Sequence, residues 1–350
     1  MNRIVTVRAS GTYEVRIGRG LLADAGKEIR TVCGGSAACV VTDDRVAPLY
    51  ADGVERSLAA AGYRVERFTI PNGEASKTPE NFLALVRFLA QKGLTRSDAV
   101  VALGGGVVGD LAGFAAATYR RGLGFVQLPT TLLAAVDSSV GGKTAVDLPE
   151  GKNLWGAFYQ PRLVLCDCDT LATLDPAVLR DGCAEVVKYG VIRDAALFEL
   201  LRDPAAAASE EVIERCVSIK RDLVELDERD EGPRKLLNLG HTVGHAVELL
   251  SGYTVTHGSA VAIGMAVVAK AAAKRGLLDA AEAEKIVTLL RTYGLPTETS
   301  YPAESLARAM AGDKKRSGSS IDLIVPRRIG DCAIVPTAVT ELEALVRDGL

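Results

Sequence analysis

Ala99-Val-Val-Ala-Leu-Gly-Gly-Gly-Val-Val-Gly-Asp-Leu-Ala-Gly-Phe114 decides the fold. Ala99–Leu103 is a short uninterrupted apolar run, the pattern of a strand buried on both faces. It runs straight into Gly104-Gly-Gly-Val-Val-Gly109-Asp110, and Leu111–Thr118 continues as a helix. Glycines at such a turn let backbone approach a phosphate, and the helix N-terminus offers unpaired N–H groups and a partial positive charge. The turn has the form Gly-x-Gly-x-x-Gly. It departs from the dinucleotide fingerprint by sitting on a later strand and by lacking an acid about 20 residues on. An acid stands instead at the end of an earlier strand, Asp43. A turn that serves only close helix–sheet packing is the alternative.

Working outward, the same rhythm surrounds this unit. Two short strands (Ile4–Arg8, Thr12–Ile17) and a helix (Leu21–Ile29) come first. Strand Ala38–Thr42, helix Val46–Ala61 and strand Arg64–Ile70 follow, and Thr78-Pro79 caps a helix to about Lys92. After the glycine turn come strands Gly124–Leu128 and Leu163–Asp167. Strands alternating with helices predict a parallel, doubly wound sheet. Between the last two strands lies Pro129-Thr-Thr-Leu-Leu-Ala-Ala-Val-Asp-Ser-Ser-Val-Gly-Gly-Lys143-Thr. Thr130 and Thr131 stand at a strand end, and Asp137, Lys143, Lys152 and Asn153 follow at short range. Lysines beside backbone N–H groups suit a phosphate.

From about Pro176 the pattern is mainly helical, with two short strands (Ile321–Val325, Cys332–Val335) before a last helix. The expected boundary divides the chain into 1–175 and 176–350. Glu185 and Lys188 are i, i+3 within an apolar helical run. Either the Glu185 carboxylate is a third metal ligand or the two are an ordinary surface ion pair, and spacing alone does not choose. All three histidines of the chain fall within Asn238-Leu-Gly-His-Thr-Val-Gly-His-Ala-Val-Glu-Leu-Leu-Ser-Gly-Tyr-Thr-Val-Thr-His257. His241 and His245 are four apart and share a helix face with Glu248. Gly252 ends that helix, and a turn brings back His257. Converging imidazoles point to a divalent metal, zinc above all. Thr242 stands where a zinc protease would carry its glutamate, which counts against proteolysis.

The chain has 350 residues, long enough for two domains, with 48% hydrophobic and 24% charged residues and a net charge of −3. No basic footprint marks it for nucleic acid. The longest apolar run, Ser259–Ala269, is too short for a bilayer and reads as a helix buried on all sides. The N-terminus has no signal-peptide core. Seven cysteines, odd in number and without Cys-x-x-Cys spacing, read as reduced thiols of a cytoplasmic protein.

The runs GGGVVGDLAGF (104–114), LPTTLLAAVDSSVGGKTAVD (128–147), GKNLWGAFYQP (151–161), AEVVKYG (184–190) and LNLGHTVGHAVE (237–248) resemble the 3-dehydroquinate synthase family, of the sugar phosphate cyclases. Weaker similarity extends from about residue 38 to about residue 336. The resemblance implies an α/β Rossmann-like N-terminal domain that binds NAD, a mainly α-helical C-terminal domain, and a zinc or cobalt ion between them. It implies Glu185, His241 and His257 as metal ligands, leaving His245 to the substrate. NAD would meet Asp43, Glu74, Lys77, Gly105, Gly106, Asp110, Thr130, Thr131, Lys143, Lys152, Thr170 and Thr173. Substrate would meet Asp137, Lys143, Asn153, Lys188, Lys220, Arg234, Asn238, His245 and Lys314. Arg121 would reach the partner's site in a homodimer.

The implied reaction converts 3-deoxy-D-arabino-heptulosonate 7-phosphate to 3-dehydroquinate and phosphate, in the shikimate pathway to aromatic amino acids. Transient oxidation by NAD, phosphate elimination, re-reduction and an aldol closure leave no net redox change. The substrate's carboxylate and phosphate explain the Lys and Arg donors. Cys183 departs from the larger apolar residue expected there. Two rivals are a metal-dependent NAD alcohol dehydrogenase, with less use for the basic cluster, and a non-catalytic NAD-binding protein, which would have lost a polar site residue.

Overall fold

The computed structural model describes residues 2–312 and 319–350. The chain forms two compact units, Met1–Leu174 with Lys220–Glu228, and Asp175–Ile219 with Arg229–Leu350. Lys220–Glu228 lies in the half expected to be helical but groups with the first unit.

The first unit is built on a seven-stranded sheet. Its first six strands are β1 (Arg3–Arg8), β2 (Thr12–Gly18), β3 (Ala37–Asp43), β4 (Arg64–Ile70), β5 (Ala99–Gly104) and β6 (Gly124–Pro129). A separate hairpin, β7 (Lys143–Leu148) and β8 (Gly151–Phe158), precedes the seventh, β9 (Leu163–Asp167). The order is β1-β2-β9-β6-β5-β3-β4. Only the β1–β2 pair is antiparallel; the remaining pairs are parallel. Four helices connect the strands: α1 (Ala25–Val32), α2 (Asp52–Ala60), α3 (Pro79–Gln91) and α4 (Gly106–Thr118).

The two-residue alternation of a strand sends successive side chains to opposite faces. Cys39, Val41, Val100 and Ala102 therefore join Phe82 and Leu85 of α3 and Leu111 and Ala115 of α4. Ala38, Val40, Val101 and Leu103 join Ile29 of α1 and Val54 and Leu58 of α2. Helices on both faces explain why these strands are apolar throughout. Helix α4 starts at Gly106, not at Leu111 as the sequence suggested. The amide of Gly109 donates to the Gly105 carbonyl at 3.0 Å, so the glycine run already makes the first helical turn. No regular element was expected for 143–158, which is the hairpin. Its β7 strand buries Ala145 and Val146, and Trp155 of β8 lies edge-on to Phe82 and Phe114.

The second unit comprises α5 (Pro176–Arg193), α6 (Ala195–Leu200), the start of α7 (Glu210–Leu226), α8 (His241–Leu250), α9 (His257–Lys274), α10 (Ala280–Thr292), α11 (Ala303–Ala311) and α12 (Leu342–Gly349). An antiparallel hairpin, β10 (Ser320–Arg328) and β11 (Asp331–Ala338), completes it. Helix α9 is buried nearly all round, as its apolar sequence requires. It meets the start of α8 so closely that a Cβ on Gly264 would lie 1.9 Å from the Gly240 carbonyl oxygen. Gly240, at φ 78°, supplies the left-handed turn that starts α8 at His241. The described residues contain no helix long and apolar enough to cross a membrane. All seven cysteines are buried thiols outside any disulfide. Cys183 bonds the Leu179 carbonyl at 3.4 Å and is pushed up to about 12 by burial, so it packs rather than reacts.

Candidate active site

In the second unit, three helices bring Glu185, His241 and His257 together. Glu185 comes from the middle of α5, His241 opens α8 and His257 opens α9. One donor atom of each lies within 4.8 Å of the others. Glu185 Oε1 is 3.1 Å from His257 Nε2 and 3.5 Å from His241 Nε2. Each ring is also held on its far nitrogen: His241 Nδ1 is 3.1 Å from the Leu239 carbonyl, and His257 Nδ1 is 3.5 Å from Glu248 Oε2. Such backing fixes which nitrogen faces a metal. Two imidazole nitrogens and a carboxylate oxygen suit zinc or cobalt, and a three-donor set leaves positions for substrate. The ring of His245 lies 5.7 Å from that of His241 and 6.4 Å from that of His257, and His245 falls outside the donor group.

Charge in this cluster is tightly apportioned. Burial would raise the Glu185 carboxyl, but Lys188, then His241 and His257, hold it well below the ordinary value. Lys188, one turn along α5, pairs with Glu185 Oε2, and both side chains are almost wholly buried. Burial pushes His241 down to about 4 against the pull of Glu185, which leaves a neutral ring suited to ligation. Burial also opposes charge on His257, but Glu185 and Glu248 outweigh it and raise the group to about 10. Arg234 and Asn238 share the short helical turn Pro233–Asn238 that leads into α8, and the Arg234 side chain is buried. Lys314 lies outside the described residues.

In the first unit, the C-terminal ends of the parallel strands carry the remaining candidates. Gly105 caps α4 with no side chain bonded to the helix amides. A Cβ there would stand 3.0 Å from Thr131 Cγ2, and one on Gly106 would stand 3.1 Å from Ser138 Oγ. The buried hydroxyls of Thr42, Thr130, Ser138 and Ser139 have no hydrogen-bond partner among the described residues. Bare helix amides, two glycines with little room for a side chain and unused buried hydroxyls fit a dinucleotide. Asp43, at the end of β3, accepts from the amides of Arg45 and Val46 at 2.9 Å. Thr170 and Thr173 lie on one short helical turn after β9; the Thr170 hydroxyl donates to Asp167 O and that of Thr173 to Thr170 O.

Lys77 gathers several others. Its ammonium lies 2.6 Å from Asp110 and 3.9 Å from Glu74, and it donates to Asn153. Burial alone would lower it, but the carboxylates of Asp110 and Glu74 keep it above the ordinary lysine value. Asn153, at φ 56°, receives a further contact from Asp147, whose carboxylate accepts its amide at 2.8 Å. Asp147 was missed from sequence; its only signal is its place in a hairpin that the sequence did not reveal. Lys220 of α7 pairs with the Asp137 carboxylate and also donates to the Asp137 carbonyl at 2.6 Å. Lys143 opens β7, exposed, and Lys152 sits beside Asn153 on β8. Arg121 lies at the end of α4's following turn, exposed, at φ 63°.

Two family profiles match in succession: 3-dehydroquinate synthase N-terminal over residues 67–181 and 3-dehydroquinate synthase C-terminal over residues 182–316. A 3-dehydroquinate synthase of Pelobacter propionicus is 46% identical over 352 residues, covering 98% of each chain. Among solved structures, 2-deoxy-scyllo-inosose synthase, complexed with carbaglucose-6-phosphate, NAD+ and Co2+, superimposes with a TM-score of 0.89. It is 27% identical and covers 99% of this chain and 100% of its own. The 2-epi-5-epi-valiolone synthase ValA of Streptomyces hygroscopicus, with NAD+ and Zn2+ bound, gives 0.88 at 31% identity, covering 98% of each chain.

Proposed function

Because the chain belongs to the 3-dehydroquinate synthase family, we propose that it converts 3-deoxy-D-arabino-heptulosonate 7-phosphate to 3-dehydroquinate and phosphate with the residues described above. The observation that carries the assignment of roles is the convergence of Glu185, His241 and His257. When bound, NAD supplies a reversible hydride acceptor and zinc or cobalt a Lewis acid that acidifies a substrate alcohol. Glu185, His241 and His257 hold the ion. Gly105 and Gly106 admit the dinucleotide to the amides of α4, with Asp43, Thr130, Thr131, Lys152, Thr170 and Thr173 around it.

The chain's own groups do the remaining work. Lys143, Lys188, Arg234, Asn238 and Lys314 offer donors to a phosphate and a carboxylate. Asp137 and His245 move protons. The Lys220 ammonium pairs with the Asp137 carboxylate and donates to its carbonyl, which fixes the position of that side chain. Lys77 holds Asp110 and Asn153 in fixed positions, which orients both without spending their freedom at the moment of binding. We also propose a cytoplasmic homodimer in which Arg121 serves the partner's site.

The test is to incubate metal-loaded protein with a catalytic amount of NAD and the heptulosonate phosphate. Phosphate is released in step with a single carbocycle, 3-dehydroquinate, and NADH does not accumulate. Steady build-up of NADH without phosphate release would favour a dehydrogenase and overturn the assignment.

A further inference from the structure

We propose that Asp181 is a positioning residue of the metal centre: from α5 its carboxylate fixes the first turn of α9 and so sets where His257 stands beside Glu185. The inference rests on the reading of Glu185, His241 and His257 as metal ligands. Asp181 and Glu185 are i, i+4 on α5 and so share a face. One turn of a single helix therefore carries both a ligand and the group that holds a second ligand's backbone.

Asp181 Oδ2 accepts the amide of Gly258 at 3.0 Å, and Oδ1 accepts the amide of Ser259 at 2.9 Å. The Thr256 hydroxyl donates to Oδ1, and that of Ser259 reaches it at 3.5 Å. The residues on both sides of His257, Thr256 and Gly258, are thus tied to one carboxylate. Thr256 is the N-cap of α9, yet its side chain bonds none of the helix amides. The cap is supplied from another helix, and a carboxylate there also meets the positive end of the helix dipole. Gly258 makes the approach possible: a Cβ on it would lie 2.0 Å from the Asp181 carbonyl oxygen and 2.8 Å from its Cγ. The backbone that carries His257 cannot shift relative to α5 without breaking these bonds.

Zinc affinity is read by competition of the metal-loaded protein with a chromophoric chelator, and ligand geometry by the visible spectrum of the Co2+ form. Asp181→Ala raises the zinc Kd by roughly 10–100-fold, the usual effect of removing support behind a ligand, and changes the Co2+ spectrum. Asp181→Asn, which keeps one acceptor oxygen, falls between it and the wild type. In a His257→Ala background, Asp181→Ala leaves the remaining zinc Kd unchanged, since its effect passes through that ring. An unchanged zinc Kd in Asp181→Ala, or the same loss with and without His257, overturns the positioning role. Where Asp181→Ala does not fold, Asp181→Asn carries the same comparison. Zinc held as tightly by His257→Ala as by the wild type overturns the reading of the metal centre itself, and the proposal with it.

Discussion

Glu248 Oε2 stands 3.5 Å from His257 Nδ1, while His257 Nε2 faces Glu185 Oε1 at 3.1 Å. The imidazole is therefore held between two carboxylates, one on each nitrogen. Glu248 is almost fully buried on α8, so it cannot swing away into solvent.

Glu248→Gln is expected to weaken zinc retention by roughly 10–100-fold, as is usual for a group behind a ligating histidine. The amide keeps the size but loses the charge that favours the Nδ1–H tautomer. Metal content after dialysis against graded chelator measures the effect, and full retention would show that Glu248 does not support His257.

Gly106→Val is expected to lower NAD affinity at least about tenfold, near 1.4 kcal/mol. A Cβ on Gly106 would already stand 3.1 Å from Ser138 Oγ, and valine adds two methyls beyond it in the first turn of α4. Calorimetric titration with NAD checks this, with thermal unfolding to confirm that the variant is folded. Wild-type affinity in a folded variant would place the dinucleotide elsewhere.

Asp98 offers a test of the first unit's stability. Its buried carboxylate accepts the amides of Ser36 and Ala37 at 2.9 Å and the amide and hydroxyl of Thr95 at 2.6 and 2.9 Å. Burial alone would raise its carboxyl, but these bonds outweigh it and hold it below the ordinary value. A group whose folded pKa is depressed contributes stability above its unfolded value, about 3.9, and loses it as pH falls through the folded value. Asp98→Asn is expected to cost about 1–3 kcal/mol at neutral pH. Urea unfolding at several pH values should show the gap between variant and wild type narrowing below about pH 4. A constant gap would mean that the charge is not what matters.

Arg121→Ala is expected to cut kcat/KM roughly ten- to a hundredfold, the loss of one charged hydrogen bond of about 1.5–3 kcal/mol. The dimer should persist. Arg121 already sits in a left-handed conformation at φ 63°, which a residue adopts at some cost. A mixed dimer of Arg121→Ala with His257→Ala should regain one whole site if Arg121 acts across the interface. No recovery would confine Arg121 to its own subunit.

Much of this was legible from the sequence because it depends on local geometry. The uninterrupted apolar run Ala99–Leu103 followed by glycines gave the strand, the turn and a helix, since a doubly covered parallel strand needs apolar residues on both faces. The four-residue spacing of His241 and His245 placed them on one face of α8, and Gly252 marked its end. The start of α4 is hidden in the sequence because glycines favour turns, although here the Gly109 amide closes the first helical bond. The hairpin β7–β8 was invisible because strand pairing is a relation between segments, and neither segment alternates cleanly enough to declare it.

The sequence by itself determined the alternation of strands and helices, the glycine-rich junction between β5 and α4 and the gathering of every histidine into one stretch. Bonds and spacings within one helix or turn are set by neighbours a few residues away, so they can be read in order. Only the tertiary structure decided which donors meet. Glu185 and His257 are 72 residues apart, and the spacing of three histidines left each equally eligible as a ligand. Packing of α5, α8 and α9 turned His241 and His257 toward Glu185, placed Glu248 behind one ring and left His245 outside the group. Asp181 and Gly258 contribute to that arrangement through an approach of backbone to backbone, which depends on the fit of two helices and leaves no periodic mark in either.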